Sequence, residues 1–301
     1  MSSAYFKEMS IFTGVVRYHD LGYLLATNDK DVANNIPHTK IYECNRGQWG
    51  TGLLKWSAIS ISVCHLPSER VITISPNGRV EASGGGYPPQ EEQISLAEDL
   101  IFREVRGIAK GHAYAVGPAR TVYRRDAPNK WTCIKAPKPE ISQLMDAGFE
   151  SIDGFSEKDI YAVGWGGEIW HYDGQLWKQI NSPTNLGLFK VRCAGNGEVY
   201  AGGQMGILLR GRHEQWEIIE HEVTQENLRG IEWFNGILYV ATTKSVYELK
   251  KDQLIPIDFG NDAPSTCYHL SAADGIMWSI GAKDVMEFDG KKWSRIIKIE
   301  K

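Results

Sequence analysis

Eight histidines and five cysteines are the side chains of this 301-residue chain best suited to metal or nucleophilic chemistry. Zinc sites usually betray themselves in sequence as ligands paired a few residues apart. The histidines at 19, 38, 65, 112, 171, 213, 221 and 269 form no HxH or HExxH pair, and Cys44, Cys64, Cys133, Cys193 and Cys267 form no CxxC. An odd number of widely scattered thiols makes a poor disulfide frame and fits a reducing compartment. Each cysteine therefore reads as a small buried hydrophobe and most histidines as solvated turn residues, so no metal or cofactor is expected. Phosphate-binding motifs are also missing: there is no P-loop and no GxGxxG, and Gly84-Gly85-Gly86 falls in a hairpin tip, not between a strand and a helix. No GxSxG turn offers a serine nucleophile. A catalytic pair among the 37 Asp and Glu is the enzyme site that spacing alone leaves open.

A net charge of −4 and a pI near 6.1 supply no general attraction for phosphate backbones or anionic lipid. No apolar run approaches the roughly 18 to 20 residues that span a bilayer. The opening Met1-Ser-Ser-Ala-Tyr-Phe-Lys-Glu lacks a basic segment followed by an apolar one. These features predict a cytoplasmic protein with neither nucleic acid nor membrane as partner. The short charge runs at Arg103 to Arg106 and Lys250-Lys251 read as solvated faces.

The elements that position these side chains follow from composition and repetition. Ten Trp, 13 Tyr and 31 Gly favour many short strands joined by tight turns. Asp159-Ile-Tyr-Ala-Val-Gly164 aligns with Glu198-Val-Tyr-Ala-Gly-Gly203, Ile237-Leu-Tyr-Val-Ala-Thr242 and Ile276-Met-Trp-Ser-Ile-Gly281. Tyr161, Tyr200, Tyr239 and Trp278 thus recur every 39 residues, as do Trp177 and Trp216. His112-Ala-Tyr-Ala-Val-Gly117 is an earlier copy, 47 residues ahead of the next, the excess lying in a polar connection around Lys135 to Asp146. Each unit reads as four strands, and Asp173-Gly174 and Asp289-Gly290 signal hairpins whose central residues need positive φ. Four strands in about 40 residues is the arithmetic of a propeller blade. Gly22–Ala26, Lys40–Cys44 and Arg46–Trp49, with a longer middle loop, supply one further blade. Ala58–Val63, Arg70–Ser75 and Gly78–Ala82 supply another. The fold expected is all-β: a single β-propeller domain over residues 1–301, of about seven four-stranded blades. Closing it requires Trp293–Ile299 to meet the stretch from Tyr5 to Val16.

The Tyr-Ala-Val-Gly and Ile-Trp-His-Tyr-Asp-Gly-x-x-Trp segments resemble bacterial propeller repeats loosely grouped with WD-repeat and YVTN proteins. The Gly-His and Trp-Asp pairs of eukaryotic WD repeats are missing, so their binding rules do not carry over. The Ser-x-Asp-x-Gly-x-x-Trp turn of sialidase-like propellers also fails to match, since Asp173 and Asp289 directly precede Gly. The chain, and the segment Gly148-Phe-Glu-Ser-Ile-Asp-Gly-Phe-Ser156 within it, is similar to propeller immunity proteins found beside secreted polymorphic toxins of Gram-negative bacteria. That resemblance implies a non-catalytic partner of a toxin domain.

Projected onto a propeller, the repeat places Arg106, Arg192, Arg229 and His269 near the inner strands facing the central channel, with Asp153 among them. Arg120, Trp165, Met205, Lys244 and Lys283 fall in successive turns between second and third strands. Those turns share one end of the fold with the loops that lead into each blade. Arg, Trp and Met are enriched in protein interfaces, and a mixed basic and aromatic face suits an acidic protein surface. The competing reading is structural, with inner-strand arginines pairing with neighbouring blades and Trp165 packing on its own turn. The function expected is protein binding, most specifically neutralisation of a toxin; the alternatives are a generic scaffold or assembly factor, and a hydrolase or lyase with a site in the central channel.

Overall fold

A computed structural model describes residues 6–95, 101–140 and 147–299. Among these, the chain folds into seven four-stranded antiparallel sheets, each a meander in chain order. The first comprises β1 (Met9–Tyr18), β2 (Leu21–Asn28), β3 (Thr39–Asn45) and β4 (Gln48–Leu54). The second has β5 (Ser60–Cys64), β6 (Arg70–Ile74), β7 (Arg79–Ser83) and β8 (Gln90–Gln93); the third β9 (Glu104–Gly107), β10 (Ala113–Gly117), β11 (Thr121–Ala127) and β12 (Lys130–Cys133). The fourth is β13 (Phe149–Ser156), β14 (Asp159–Gly164), β15 (Ile169–Tyr172) and β16 (Trp177–Ile180); the fifth β17 (Leu188–Cys193), β18 (Val199–Gly203), β19 (Leu208–Arg212) and β20 (Gln215–Ile218). The sixth holds β21 (Gly230–Phe234), β22 (Ile237–Ala241), β23 (Val246–Lys250) and β24 (Gln253–Pro256); the seventh β25 (His269–Ala273), β26 (Ile276–Ile280), β27 (Asp284–Phe288) and β28 (Trp293–Lys298).

Second strands are covered on both faces. Every residue of β6, β10, β18 and β26 is buried, which is why they read as continuous apolar runs rather than as alternation. The repeating aromatics of β10, β14, β18, β22 and β26, namely Tyr114, Tyr161, Tyr200, Tyr239 and Trp278, are core residues. The glycine that closes the repeat has a steric cause. A Cβ at Gly164 would lie 1.6 Å from the carbonyl oxygen of Gly148, and one at Gly203 would lie 2.0 Å from that of Gly187. In these sheets the entering loop nests against the end of the second strand, and no side chain fits between them.

The Asp-Gly hairpins form, but with a different turn from the one expected. Tyr172 pairs with Trp177, leaving four residues between strands. Within them the Asp173 carboxylate accepts the N–H groups of Gln175 and Leu176, both at 2.8 Å. Asp289 does the same with Lys291 and Lys292. An Asx turn thus replaces the two-residue turn, because the aspartate side chain satisfies the backbone donors. These bonds hold both carboxyls below their ordinary value.

Contacts divide the chain into two compact units: a middle unit from Ile59 to Glu220, and a terminal unit made of residues up to Ala58 together with those from His221 onward. In the middle unit the first strands β5, β9, β13 and β17 stand side by side in that order. In the terminal unit β25 lies between β21 and β1. There the residues from Trp293 to Ile299 meet the N-terminal stretch by packing rather than by strand pairing: Ile297 and Ile299 share one apolar cluster with Phe6, Met9, Ile11 and Val16, while β28 pairs with β27. Tyr5, at the start of the expected contact, and residues 141–146 of the polar connection lie outside the described residues.

Candidate protein-binding surface

A first strand has only one hydrogen-bonded neighbour in its sheet, so its other edge carries unpaired N–H and C=O groups. Side chains of the adjacent first strand answer them. Ser60 and Ser62 accept from the N–H groups of Val105 and Gly107 at 3.1 and 2.9 Å. Glu104 accepts from Ile152 at 3.0 Å, Ser151 from Val191 at 3.2 Å and Asp153 from Cys193 at 2.9 Å. In the terminal unit Ser271 accepts from Val16 at 3.0 Å, and His269 Nε2 lies 2.9 Å from the Gly14 carbonyl oxygen, to which it donates. A polar residue at alternate positions of a first strand, as in Ser60/Ser62, Ser151/Asp153 and His269/Ser271, is the sequence signal for this arrangement.

The same strands carry the expected basic residues, and in the middle unit these face carboxylates. Asp153, buried on β13, lies 3.7 Å from Arg106 and 3.2 Å from Arg192. Lys190 donates to Glu104 at 2.5 Å. Burial opposes ionisation of Glu104, but the charges of Lys190 and Arg106, with hydrogen bonds from Lys190 and Ser151, hold its carboxyl below the usual range. The run from Arg103 to Arg106 is therefore a set of inter-sheet ion pairs rather than a solvated face. Beside it, burial and then the charges of Asp153 and Asp159 push the Cys193 thiol well up, which keeps it protonated and a poor nucleophile.

The turns between second and third strands stand on the end of the middle unit where each sheet is entered, since the Trp165 and Gln204 N–H groups bond to the carbonyls of Gly148 and Gly187. Arg120 is buried there in a fork with Glu168, donates to the Pro137 carbonyl and lies 4.7 Å from the centre of the Trp170 ring. Trp165 and Met205 are different. Trp165 is 36% exposed, its indole N–H donates to Glu150, and Arg103 stands 5.7 Å from its ring while lying 3.4 Å from Glu150. Met205 is 63% exposed and holds φ at +52°, a left-handed conformation in which the equivalent residue of the preceding sheet is Gly166. A non-glycine residue there is uncommon, and such strain concentrates at functional positions.

In the terminal unit, Lys283 Nζ donates to the Met9 carbonyl at 2.6 Å and to Asp29 at 2.8 Å. Lys244 is exposed in the β22–β23 turn, and Arg229 immediately precedes β21, its N–H bonded to Ala241. The longer loop of the first blade proves to be an ordered insertion. Helix α1 (Asp29–Ala33) is capped by the Asn28 side chain, which accepts from Lys30 and Asp31. His38 ties the base: its Nε2 accepts from the Asn28 N–H at 2.7 Å and its Nδ1 lies 2.8 Å from the Ile36 carbonyl oxygen. Val32 and Ile36 are left about half exposed. Sequence reading missed this element because a five-residue helix carries too little periodicity to register.

Among the described residues no group of three or more His, Cys, Asp and Glu is arranged to hold a metal, and no helix is long and apolar enough to cross a membrane. No family model matches the chain. It is 44% identical over 297 residues to Immune protein Tsi7 of Pseudomonas aeruginosa, an alignment covering 95% of this chain and 97% of that one. Among solved structures it is similar to YCF48 bound to D1 peptide (TM-score 0.69, 11% identity, 98% of this chain and 93% of that one). It is also similar to the WD40 β-propeller domain of Doa1 (TM-score 0.66, 11% identity, 98% and 95%). With seven four-stranded antiparallel blades, the fold is a β-propeller.

Proposed function

This chain belongs to the family of Immune protein Tsi7, and on that premise we propose that it binds a toxin protein and neutralises it without performing catalysis. The observation that carries this reading is the 44% identity sustained over 95% of the chain, since it spans the scaffold and the turns alike. In this reading the protein acts in the cytoplasm as one propeller domain over residues 1–301, and its partner is the toxin domain of a secretion system, not a nucleic acid or a membrane.

The binding surface we assign is the end of the middle unit that carries Trp165 and Met205. Arg103, Arg106, Lys190 and Arg192 already face Glu150, Glu104 and Asp153. These four cations share three carboxylates within the molecule, so affinity rests mainly on the exposed aromatic and thioether groups, with the charges setting orientation. An enzyme reading finds less support, since Glu104 is held ionised by its neighbours rather than poised to exchange a proton. The test is co-expression with the toxin encoded beside this gene in a susceptible bacterium. Survival that depends on this chain, together with co-purification of the two proteins, is the expected result; neither binding nor protection would overturn the reading.

A further inference from the structure

The outer strand of the first blade differs from its counterparts. An exposed strand edge invites pairing with another chain, and folded proteins blunt such edges with charge, proline or brevity. The described outer strands of the other blades follow that rule. β8 carries Glu91 and Glu92, β12 Lys130, β16 Lys178, β20 Glu217, β24 Pro256 and β28 Arg295 with Lys298, and all but β28 are four residues long. β4 is seven residues, Gln-Trp-Gly-Thr-Gly-Leu-Leu, with neither charge nor proline. It is exposed along most of its length: Leu53 is 64% exposed, and a Cβ added at Gly50 would meet nothing within 4 Å.

The register shows which groups are on offer. Asn45 and Gln48 flank the two-residue turn Arg46-Gly47, so they form a hydrogen-bonded pair. Alternation then makes Glu43–Gly50, Ile41–Gly52 and Thr39–Leu54 the other bonded pairs. The N–H and C=O groups of Trp49, Thr51 and Leu53 consequently point outward from the sheet.

We propose that β4 pairs antiparallel with β4 of a second copy of this chain, with Thr51 facing Thr51 on a two-fold axis. The sequence is complementary to itself in that register. Trp49 faces Leu53 of the second copy, Thr51 faces Thr51, and Leu53 faces Trp49; these aromatic–aliphatic and Thr–Thr cross-strand pairs stabilise sheets. On the opposite face Gly50 meets Gly52, which leaves room for the two sheets to continue into each other. On the two-fold axis a residue faces its own copy, so a charge there would repel itself, and the uncharged Thr51 avoids this. The interface is isologous and closes at two copies. Its small area places it among weak, concentration-dependent contacts. The proposal is independent of toxin binding.

Sedimentation or light scattering of the purified full chain, from micromolar to millimolar concentration, tests it. The mass should rise from 33.8 kDa toward twice that value. Thr51→Lys puts two like charges on the axis and should hold the mass at 33.8 kDa throughout. Thr51→Pro removes an outward N–H without taking a bond from β3 and should do the same, with circular dichroism confirming that the sheet is intact. Gln179→Lys, on the outer strand of the fourth blade, should dimerise like the parent. A parent that stays monomeric at every concentration overturns the proposal, as does a dimer that survives Thr51→Lys. A monomeric parent whose toxin binding falls with Thr51→Lys also overturns it, and assigns the edge to a foreign strand.

Discussion

The two units place charge differently between neighbouring sheets: the middle unit buries several ion pairs, whereas the terminal unit keeps Lys283–Asp29 and His19–Asp274 at more exposed ends of the joint. In the middle unit, Glu92 to Arg125, Glu168 to Arg120 and Asp153 to Arg192 cross between adjacent sheets, and Glu104 to Lys190 reaches from the third sheet to the fifth. In the terminal unit the joint between β25 and β1 is made by the Ser271 hydroxyl, the His269 imidazole, and the Tyr268 hydroxyl donating to the Ile11 carbonyl at 2.5 Å. The joint between the sixth and seventh sheets is apolar, with Phe234 and Phe288 ring centres 5.7 Å apart. On the first strands both units answer exposed backbone groups with side chains of the neighbouring first strand. They differ in what happens when one partner is lost, because a buried charge without its counter-ion is far more costly than a lost hydroxyl contact.

The largest effect should come from Arg125→Ala. Arg125 and Glu92 are both 0% exposed, and the guanidinium reaches the carboxylate at 2.6 Å. Removing it strands Glu92 in the core with the Trp131 indole N–H donating to it at 3.0 Å, and denaturant unfolding should show a loss of about 3–5 kcal/mol. Arg125→Met combined with Glu92→Leu should recover most of that loss, which would separate the charge from the space it fills.

Glu104→Ala comes next, at about 2–3 kcal/mol, since it leaves the Ile152 N–H unanswered and Lys190 without its carboxylate. This site also carries a pH signature. The Glu104 carboxyl is held below its ordinary value of 4.5, so its contribution is complete above that pH and is lost as pH falls through the lowered folded value. Unfolding measured from neutral pH down through that window should steepen in the parent and flatten in Glu104→Gln. Ser271→Ala, the equivalent cut in the terminal unit, should lower stability by only about 1 kcal/mol, without a matching pH dependence. A loss there as large as that of Glu104→Ala would erase the contrast between the units.

Smallest is Met205→Gly, and its sign is the informative part. Glycine relieves the strain of the left-handed backbone but raises the entropy of the unfolded chain, and the two opposing effects leave stability within about 1 kcal/mol of the parent. Toxin affinity should nevertheless fall, because the exposed thioether is gone. Calorimetric titration of the toxin against both forms checks it, and equal affinities would move the binding surface away from this turn.

Much of the scaffold was legible because it is written locally. The 39-residue spacing of Tyr161, Tyr200, Tyr239 and Trp278, with glycine closing most copies, reflects buried second strands and the carbonyl that nests beside them. The placement of Arg106, Arg192 and Asp153 on first strands followed from the same repeat. What stayed hidden was the pairing. Asp153 reaches Arg192 and Cys193 one sheet further on, and linear spacing says nothing about which charged neighbour is chosen across a sheet boundary. Several histidines expected in solvent are likewise engaged: His38 anchors the α1 insertion, His112 meets Glu157 at 2.6 Å and His171 meets Asp159 at 2.9 Å. The partners Asn28, Asp159 and Glu157 lie 10 to 45 residues away in the chain, beyond any local motif.

The carbonyls that nest against Gly164 and Gly203 also govern how such a protein can change its target. Because the contact fixes the end of each second strand from outside the turn, the few residues that follow the glycine behave as an exchangeable cassette. Trp165-Gly166-Gly167 and Gln204-Met205-Gly206 occupy the same frame with different side chains. On the proposed binding surface, new specificity would be written into these short segments while the strands beneath them keep their register, which would suit a scaffold that must keep pace with a changing adversary.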